Sequence, residues 1–460
     1  MARLSHKVIL KGVLTNTSPL LIGSGKGGNI DAEIVKDENG KVYIPGSSFL
    51  GALKHYICDH FEVPSSVMAI FGERETQSQM VVQDLVSLDS FQKISVRDGV
   101  RIDPEKGIAQ PKKKYDYEIL EPGSKFQLLI EMTILEEPST SRELPSLDDS
   151  LKLIKTILEI LSSEESDFSL GAITTKGFGK VAFDTSLKNE TPKIYCFDFP
   201  DKGKAWFEYL LSEDKIPPDH CLKKAEEIKA IVKKQQDNLE IVCNMSIVSS
   251  LLIGASPKAA DEEDKVTLKS GDLPVISGTS LKGALRARAE RIYKTLAGKE
   301  SNKEKLHSLF GWVSEKEKLK IKSKMIVEET IVQGGTEVSQ PRIKIDRFTG
   351  GVIEGALMET KALWRNDEDI SFKICVRDPE NWEVGLLLLV IKDLWDRDLP
   401  IGGEKAIGRG VLKGDRLQIS LRGKTYSVVE KNGILNVTGE QKELEEYVNA
   451  FVEYAGGEQQ

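Results

Sequence analysis

Five landmarks occur in the same order in both halves of the chain, so it must fold as two like domains rather than around one core. Each half opens on an apolar strand pattern, ending in Leu20-Leu21-Ile22-Gly23 and in Leu251-Leu252-Ile253-Gly254. A polar loop follows and closes on an aspartate five residues before a lysine, Asp31 to Lys36 and Asp264 to Lys269. After a tight turn (Glu38 to Gly40, Ser270 to Asp272) come Ile44 to Lys54 (IPGSSFLGALK) and Ile276 to Arg286 (ISGTSLKGALR). Ser or Thr after Gly, ahead of good helix formers, predicts a loop feeding a capped helix N-terminus. The third landmark is Phe71-Gly72 and Phe310-Gly311, an aromatic with a capping glycine. The fourth is Ile102-Asp103 with Gly107, matched by Ile345-Asp346 with Gly350. The fifth is a Gly-rich loop, Leu170 to Gly179 and Ile401 to Gly410, equal in length without gaps. The interval from Gly23 to Gly254 recurs from Gly179 to Gly410.

Helical spacing precedes each Gly-rich loop, at Leu151 to Leu161 and Trp382 to Leu394, and a strand-like segment follows it. The order predicts an α+β sandwich with helices on one face of an antiparallel sheet. The domains are then 1–189 and 238–435. Residues 190–237 form a connector with a helix, for which Cys221 to Gln236 is the candidate, and 436–460 hold a C-terminal helix and tail, amphipathic from Gln441 to Tyr454. The length of 460 residues fits two cores. The longest apolar run, Val384 to Ile391, is too short to span a bilayer. The first residues lack the apolar core of a secretory signal, which reads as cytoplasmic with no membrane partner. Five scattered cysteines (Cys58, Cys196, Cys221, Cys243, Cys375) encode neither a disulfide framework nor a zinc site, and read as small buried hydrophobes. A net charge of −8 opposes indiscriminate binding to a polyanion, so any contact with nucleic acid must use local basic patches.

Taken together, the Gly-Ser-Ser or Gly-Thr-Ser segment before a Leu-x-Gly-Ala-Leu-Lys/Arg helix, the Ile-Asp-x-x-x-Gly segment and the Gly-x-x-x-x-x-Gly-x-Gly loop resemble the RAMP superfamily. The aspartate-bearing loop is similar to that of the backbone subunits of the type III CRISPR effectors, Csm and Cmr, here fused two to a chain as in type III-D-like systems. The likeness covers roughly 7–185 and 238–415. It implies two ferredoxin-like, RRM-type domains, each with a thumb β-hairpin, at about Val96 to Tyr117 and Arg342 to Met358. It also implies a filament-forming subunit of antiviral defence that grips a guide crRNA, assembles with other effector subunits and cuts complementary single-stranded target RNA. The catalytic residues implied are Asp31 and Asp264, acting with a divalent metal, Mg2+.

An in-line 2′-hydroxyl is denied by A-form duplex and permitted by a splayed nucleotide, so positioning carries much of such a reaction. A carboxylate of ordinary pKa is a weak base at neutral pH and is better suited to binding Mg2+. The plainer reading of Asp31 or Asp264 is a turn-capping loop acid, and Asp264 has Asp261, Glu262 and Glu263 beside it, with Lys258 replacing the first loop's glycines. Phosphate contacts are expected at the helix N-termini, Gly46, Ser47, Ser48 and Gly278, Thr279, Ser280, with Lys54, Lys282, Arg286 and Arg288 nearby. Lys176 and Arg409 flank the Gly-rich loops, and Arg101, Lys112, Lys113, Arg342, Lys344 and Arg347 lie on the thumbs. Lys112 to Lys114 beside Tyr115 and Tyr117 pairs cations with rings, or is a solvated loop. His6, His55, His60, His220 and His307 do not recur at equivalent positions, which disfavours a histidine nuclease that processes guide precursors, and no Walker loop is present. The rival reading is an inert RNA-binding scaffold.

Overall fold

The computed structural model describes residues 3–456 apart from 26–29, 73–75, 137–144, 185–190, 200–202, 212–227, 258–262, 299–302, 315–317 and 365–368. It divides into two compact units, neither contiguous along the chain. Unit 1 comprises Met1–Ser95, Glu118–Thr174 and Phe178–Gln235, and unit 2 comprises Val96–Tyr117, Thr175–Gly177 and Gln236–Gln460. Most of the first repeat's hairpin and three residues of its Gly-rich loop therefore pack as part of unit 2.

In unit 1 the long strand β1 (Arg3–Asn16) is the centre of an antiparallel sheet. The helix α1 (Gly46–His60) is followed by the short strand β2 (Met80–Val82), and a hairpin then leaves along β3 (Ile94–Ile102) and returns along β4 (Ala109–Leu120). Strand β5 (Lys125–Glu136) lies between β2 and β1, with Leu10 opposite Ile130. Phe126, Leu128, Ile130, Met132 and Ile134 alternate with half-exposed neighbours, the period-2 signature of a sheet covered on one face. The helix α2 (Leu147–Ser162), started by a Ser146/Asp149 capping box, packs on β1 and β5. On the other side of β1, β6 (Val181–Phe183) and β7 (Lys193–Asp198) pair with its two ends. The connector thus adds a strand, and its helix is α3 (Gly203–Leu211).

The helix expected from Cys221 to Gln236 falls partly on 221–227, outside the described residues, and the remainder, 228–236, is not helical. Its backbone is used elsewhere: Ile231 N–H donates to Thr156 Oγ1 (2.9 Å), Val232 C=O accepts from Glu62 N–H (2.8 Å) and Lys233 bridges to Phe61. A helix would forfeit those bonds.

Unit 2 repeats the plan. Strand β8 (Leu239–Ile247), with every second residue buried, precedes the helix α4 (Gly278–Ala297) and the short strand β9 (Met325–Val327). A second hairpin runs out along β10 (Thr336–Arg342) and back along β11 (Met358–Trp364). Then come β12 (Ile370–Val376), the helix α5 (Asn381–Trp395) and β13 (Leu412–Leu421), giving the order β9-β12-β8-β13. Strands β14 (Lys424–Lys431) and β15 (Ile434–Thr438) extend this sheet, and helix α6 (Gln441–Gly456) packs on α5. The Val384 to Ile391 run is the centre of α5, apolar nearly all round because it packs on both the sheet and α6. Gly385 permits that crossing, since a Cβ there would lie 2.0 Å from Tyr447 O.

Among the described residues no helix is long and apolar enough to cross a membrane. Of the described cysteines only Cys243 is fully buried, its thiol pushed up by burial; Cys58, Cys196 and Cys375 are half-exposed, contrary to the sequence reading, and Cys221 lies outside the described residues.

Candidate nucleic-acid interface

The two aspartate loops are equivalent by hydrogen bonding as well as by sequence. In unit 1, Leu20 bridges to Leu120, and Ala32 C=O accepts from Glu118 N–H at 2.9 Å. In unit 2, Leu251 pairs with Leu363, and Lys265 C=O accepts from Lys361 N–H at 2.9 Å. Asp31 and Asp264 are the residues immediately before these two carbonyls, exposed, each beside the strand returning from a hairpin. The recurring lysine ties each loop to a hairpin strand, since Lys36 is paired with Glu118 (2.9 Å) and Lys269 with Glu337 (2.8 Å). In the second loop Asp264 Oδ2 accepts from Glu359 N–H at 2.9 Å. Lys258, Asp261 and Glu262 lie outside the described residues.

Among the described residues no group of three or more His, Cys, Asp and Glu is placed to hold a metal ion. Among the described residues each loop presents one exposed carboxylate, which suits Mg2+, since that ion commonly takes one or two carboxylates and completes its shell with water and substrate phosphate oxygens. It does not suit a resident ion held by protein alone.

The helix starts owe their glycines to close packing. A Cβ on Gly46 would lie 2.2 Å from Val82 O, and one on Gly278 would lie 2.3 Å from Val327 O, the same carbonyl in each repeat. The caps are Pro45, without a side-chain bond, and Ser277, so Ser47, Ser48, Thr279 and Ser280 belong to the first turn rather than capping it. Ser47 and Ser48 are exposed, while the Thr279 and Ser280 hydroxyls bond to Ser277 Oγ at 3.0 and 2.9 Å. At α1 the Gly46 N–H is already taken by Asp84 Oδ1 (2.8 Å), a carboxylate that competes with any phosphate there.

Unit 2 is different. Lys176, Lys282 and Arg286 gather beside the first turns of α4, where Lys176 O touches the Gly278 position and Lys282 Nζ reaches Thr175 O. Lys54 and Arg286 play one role twice, donating to the carbonyl of the Phe-Gly glycine, Gly72 (3.3 Å) and Gly311 (3.2 Å). Arg288 is turned to Asp393 (2.5 Å).

The Gly-rich loops share one backbone path. Ile173 (φ 62°) and Glu404 (φ 56°) are both left-handed, an uncommon conformation for a non-glycine residue and most of all for β-branched Ile173. Leu170 and Ile401 close the loops by donating to Gly179 O and Gly410 O. Arg409, expected at RNA, is 2% exposed and turned inward to Glu404 (2.9 Å), Ser250 (3.2 Å) and Gln340 (2.6 Å). Arg342 is likewise committed to Glu404 and Thr360. On the hairpins Arg101, Lys112, Lys113, Lys344 and Arg347 are exposed. Asp103 and Asp346 cap the turns that follow them: each Oδ1 accepts from two backbone N–H groups, at 2.9 and 3.0 Å and at 2.8 and 2.8 Å, which accounts for the fourth landmark. Tyr117 is buried and pushed up to about 12, mainly by that burial, so only Tyr115 of the pair is placed to meet a base.

Sequence reasoning missed Arg97 and Glu329, which form a buried ion pair in unit 2, because no motif marks them. The equivalence of Glu329 with Asp84, each two residues past a matched valine, was the available signal.

Two like units, each with an aspartate loop at a hairpin base and a Gly-rich loop of one conformation, define a tandem α+β protein. The RAMP superfamily model matches residues 13–182 and 244–413, and the chain belongs to that superfamily, in two copies. The superfamily is associated with CRISPR-related RNA-binding proteins, whose members generally bind RNA and work in multi-subunit complexes. No curated protein gives a significant match to the chain.

Proposed function

We propose that the chain is a guide-binding backbone subunit of a type III CRISPR effector that cuts complementary target RNA once beside each aspartate, in antiviral defence. The observation that carries this reading is the recurrence of Asp31 and Asp264 on one hydrogen-bonded step in both units, exposed and beside a hairpin. In this reading each repeat is a ferredoxin-like domain, its hairpin is a thumb that displaces a nucleotide, and exposed Lys112, Lys113, Lys344 and Arg347 hold phosphates. The packing of residues 96–117 as part of unit 2 supports a filament, since a hairpin that docks on the next repeat within a chain has a counterpart at 336–364 for the next subunit.

The displaced nucleotide brings its 2′-oxygen into line with phosphorus. That oxygen gives up its proton to solvent and bonds to phosphorus as the 5′-oxygen of the next nucleotide leaves and takes a proton from solvent, giving a 2′,3′-cyclic phosphate and a 5′-hydroxyl. Asp31 and Asp264 orient the 2′-hydroxyl by accepting its hydrogen bond, and would hold the divalent ion. When bound, Mg2+ supplies charge neutralisation at the reacting phosphate.

The bond from Glu359 N–H to Asp264 favours a second reading, in which Asp264 is a structural cap and unit 2 an inert scaffold. The test uses the complex assembled on guide RNA with a target carrying 2′-deoxy sugars at the cut positions. The proposal predicts that binding survives and cutting stops, whereas continued cutting would refute the 2′-oxygen mechanism.

A further inference from the structure

The second repeat carries a charged side chain where the first has leucine: Lys282 stands at the position of Leu50. Lys282 is 5% exposed, and its Nζ lies within hydrogen-bond reach of Met325 O (2.6 Å), Ser323 Oγ (2.8 Å) and Thr175 O (3.3 Å). All three acceptors are neutral. Its nearest charged neighbours, Lys176 on the Thr174–Lys176 turn and Arg286 one helical turn on, share its sign.

Burial first, and those two cations next, push Lys282 down to about 7. Lys176 is lowered in the same way, by burial and then by Arg286. One carboxylate, Glu290, joins the cluster through Arg286, and the others nearby are engaged elsewhere. Glu290 pairs with Arg286 (2.9 Å), and Glu383 and Glu380 take Lys324 (2.9 and 3.8 Å) on the approach to β9. Past β9, Glu329 holds Arg97, and Glu328 acts on Lys373. Among the described residues no carboxylate forms an ion pair with Lys282 or Lys176.

We propose that the Lys176–Lys282–Arg286 cluster takes up a proton as it takes an RNA phosphodiester, with Lys282 as the group that charges. The inference rests on the reading of the chain as an RNA binder. An anion held by Lys176 and Arg286 offsets their repulsion on Lys282, whose amine then accepts a proton from solvent and becomes an ammonium. The three oxygens already around Nζ can accept all three of its N–H groups, so no rearrangement is needed. The first repeat, with Leu50 at this position, has no such group. Phosphate binding by the second repeat thus weakens as pH rises while that by the first does not.

The test is titration calorimetry of the full chain with a single-stranded RNA of mixed sequence, at low salt and about pH 8, in two buffers of different ionisation enthalpy. Wild type should take up a large fraction of a proton per binding event, and its affinity should fall by up to about tenfold per pH unit above neutrality. In Lys282→Met the buffer difference and the steep pH dependence should vanish, and in Lys282→Arg binding should stay tight with no uptake. Binding by wild type without uptake, or uptake that persists in Lys282→Met, overturns the proposal and leaves the RNA-binding reading standing. Absence of RNA binding by wild type at every pH overturns both.

Discussion

Glu329 holds the Arg97 guanidinium with both carboxylate oxygens, Nη1 to Oε2 at 2.5 Å and Nη2 to Oε1 at 3.2 Å, and the two side chains are 3% and 6% exposed. In the first repeat the same position is Asp84, which accepts from Gly46 N–H. Duplication has left one acidic position with two roles, holding a helix start in unit 1 and anchoring the first hairpin's outgoing strand in unit 2.

Removing one partner of a buried pair strands the other's charge, which costs about 3–5 kcal/mol. Arg97→Ala should therefore lower the urea midpoint of the unit 2 transition markedly. Arg97→Met combined with Glu329→Leu should recover most of the loss. Equal midpoints for Arg97→Ala and wild type would show that the pair contributes nothing.

Gly385→Ala should loosen helix α6 from α5, because the added methyl meets Tyr447 O; overpacking of this kind costs about 1–3 kcal/mol. Trp382 stacks on Tyr454 at 4.1 Å across the same helix pair, so its fluorescence should change as the helices part. Unchanged melting and emission would place the crossing elsewhere.

Glu404 has an acid-limb signature. Burial alone would raise its carboxyl, but Arg342 and Arg409 outweigh burial and hold it below its ordinary 4.5. A lowered native value means the stability it contributes is fully present above 4.5 and is lost as pH falls through the native value. The melting-temperature gap between wild type and Glu404→Gln should be constant near neutrality and close in acid. A gap independent of pH would deny the ion pairs any role.

Lys112 and Lys113 are exposed on the first hairpin's returning strand. Replacing both with glutamine should weaken RNA binding and reduce its salt slope by about one for each phosphate no longer neutralised. An unaltered slope would mean that the hairpin does not touch the backbone.

The landmarks were readable because each solves a local problem: the Ile-Asp-x-x-x-Gly aspartates cap their own turns, and the helix-start glycines admit a strand carbonyl. The aspartate loops could be aligned by their spacing to Lys36 and Lys269, whose ion pairs hold the loops in place. Arg97 with Glu329, the inward turn of Arg409 and the extended course of 228–236 depend on partners far along the chain. Arg409 looked like an RNA contact because a Gly-rich loop usually exposes its neighbours, but Glu404, Gln340 and Ser250 offered it a buried site. The Lys282 cluster was half readable: the cations were nominated, but their proximity to Lys176 needed the fold.

The most direct measurement maps the cuts that the assembled complex makes in a labelled target for wild type, Asp31→Ala, Asp264→Ala and the double variant. Each single change should abolish its own set of cuts by at least about a hundredfold, leave the other set, and spare target binding. A full cut pattern in the double variant would contradict a catalytic role for either aspartate.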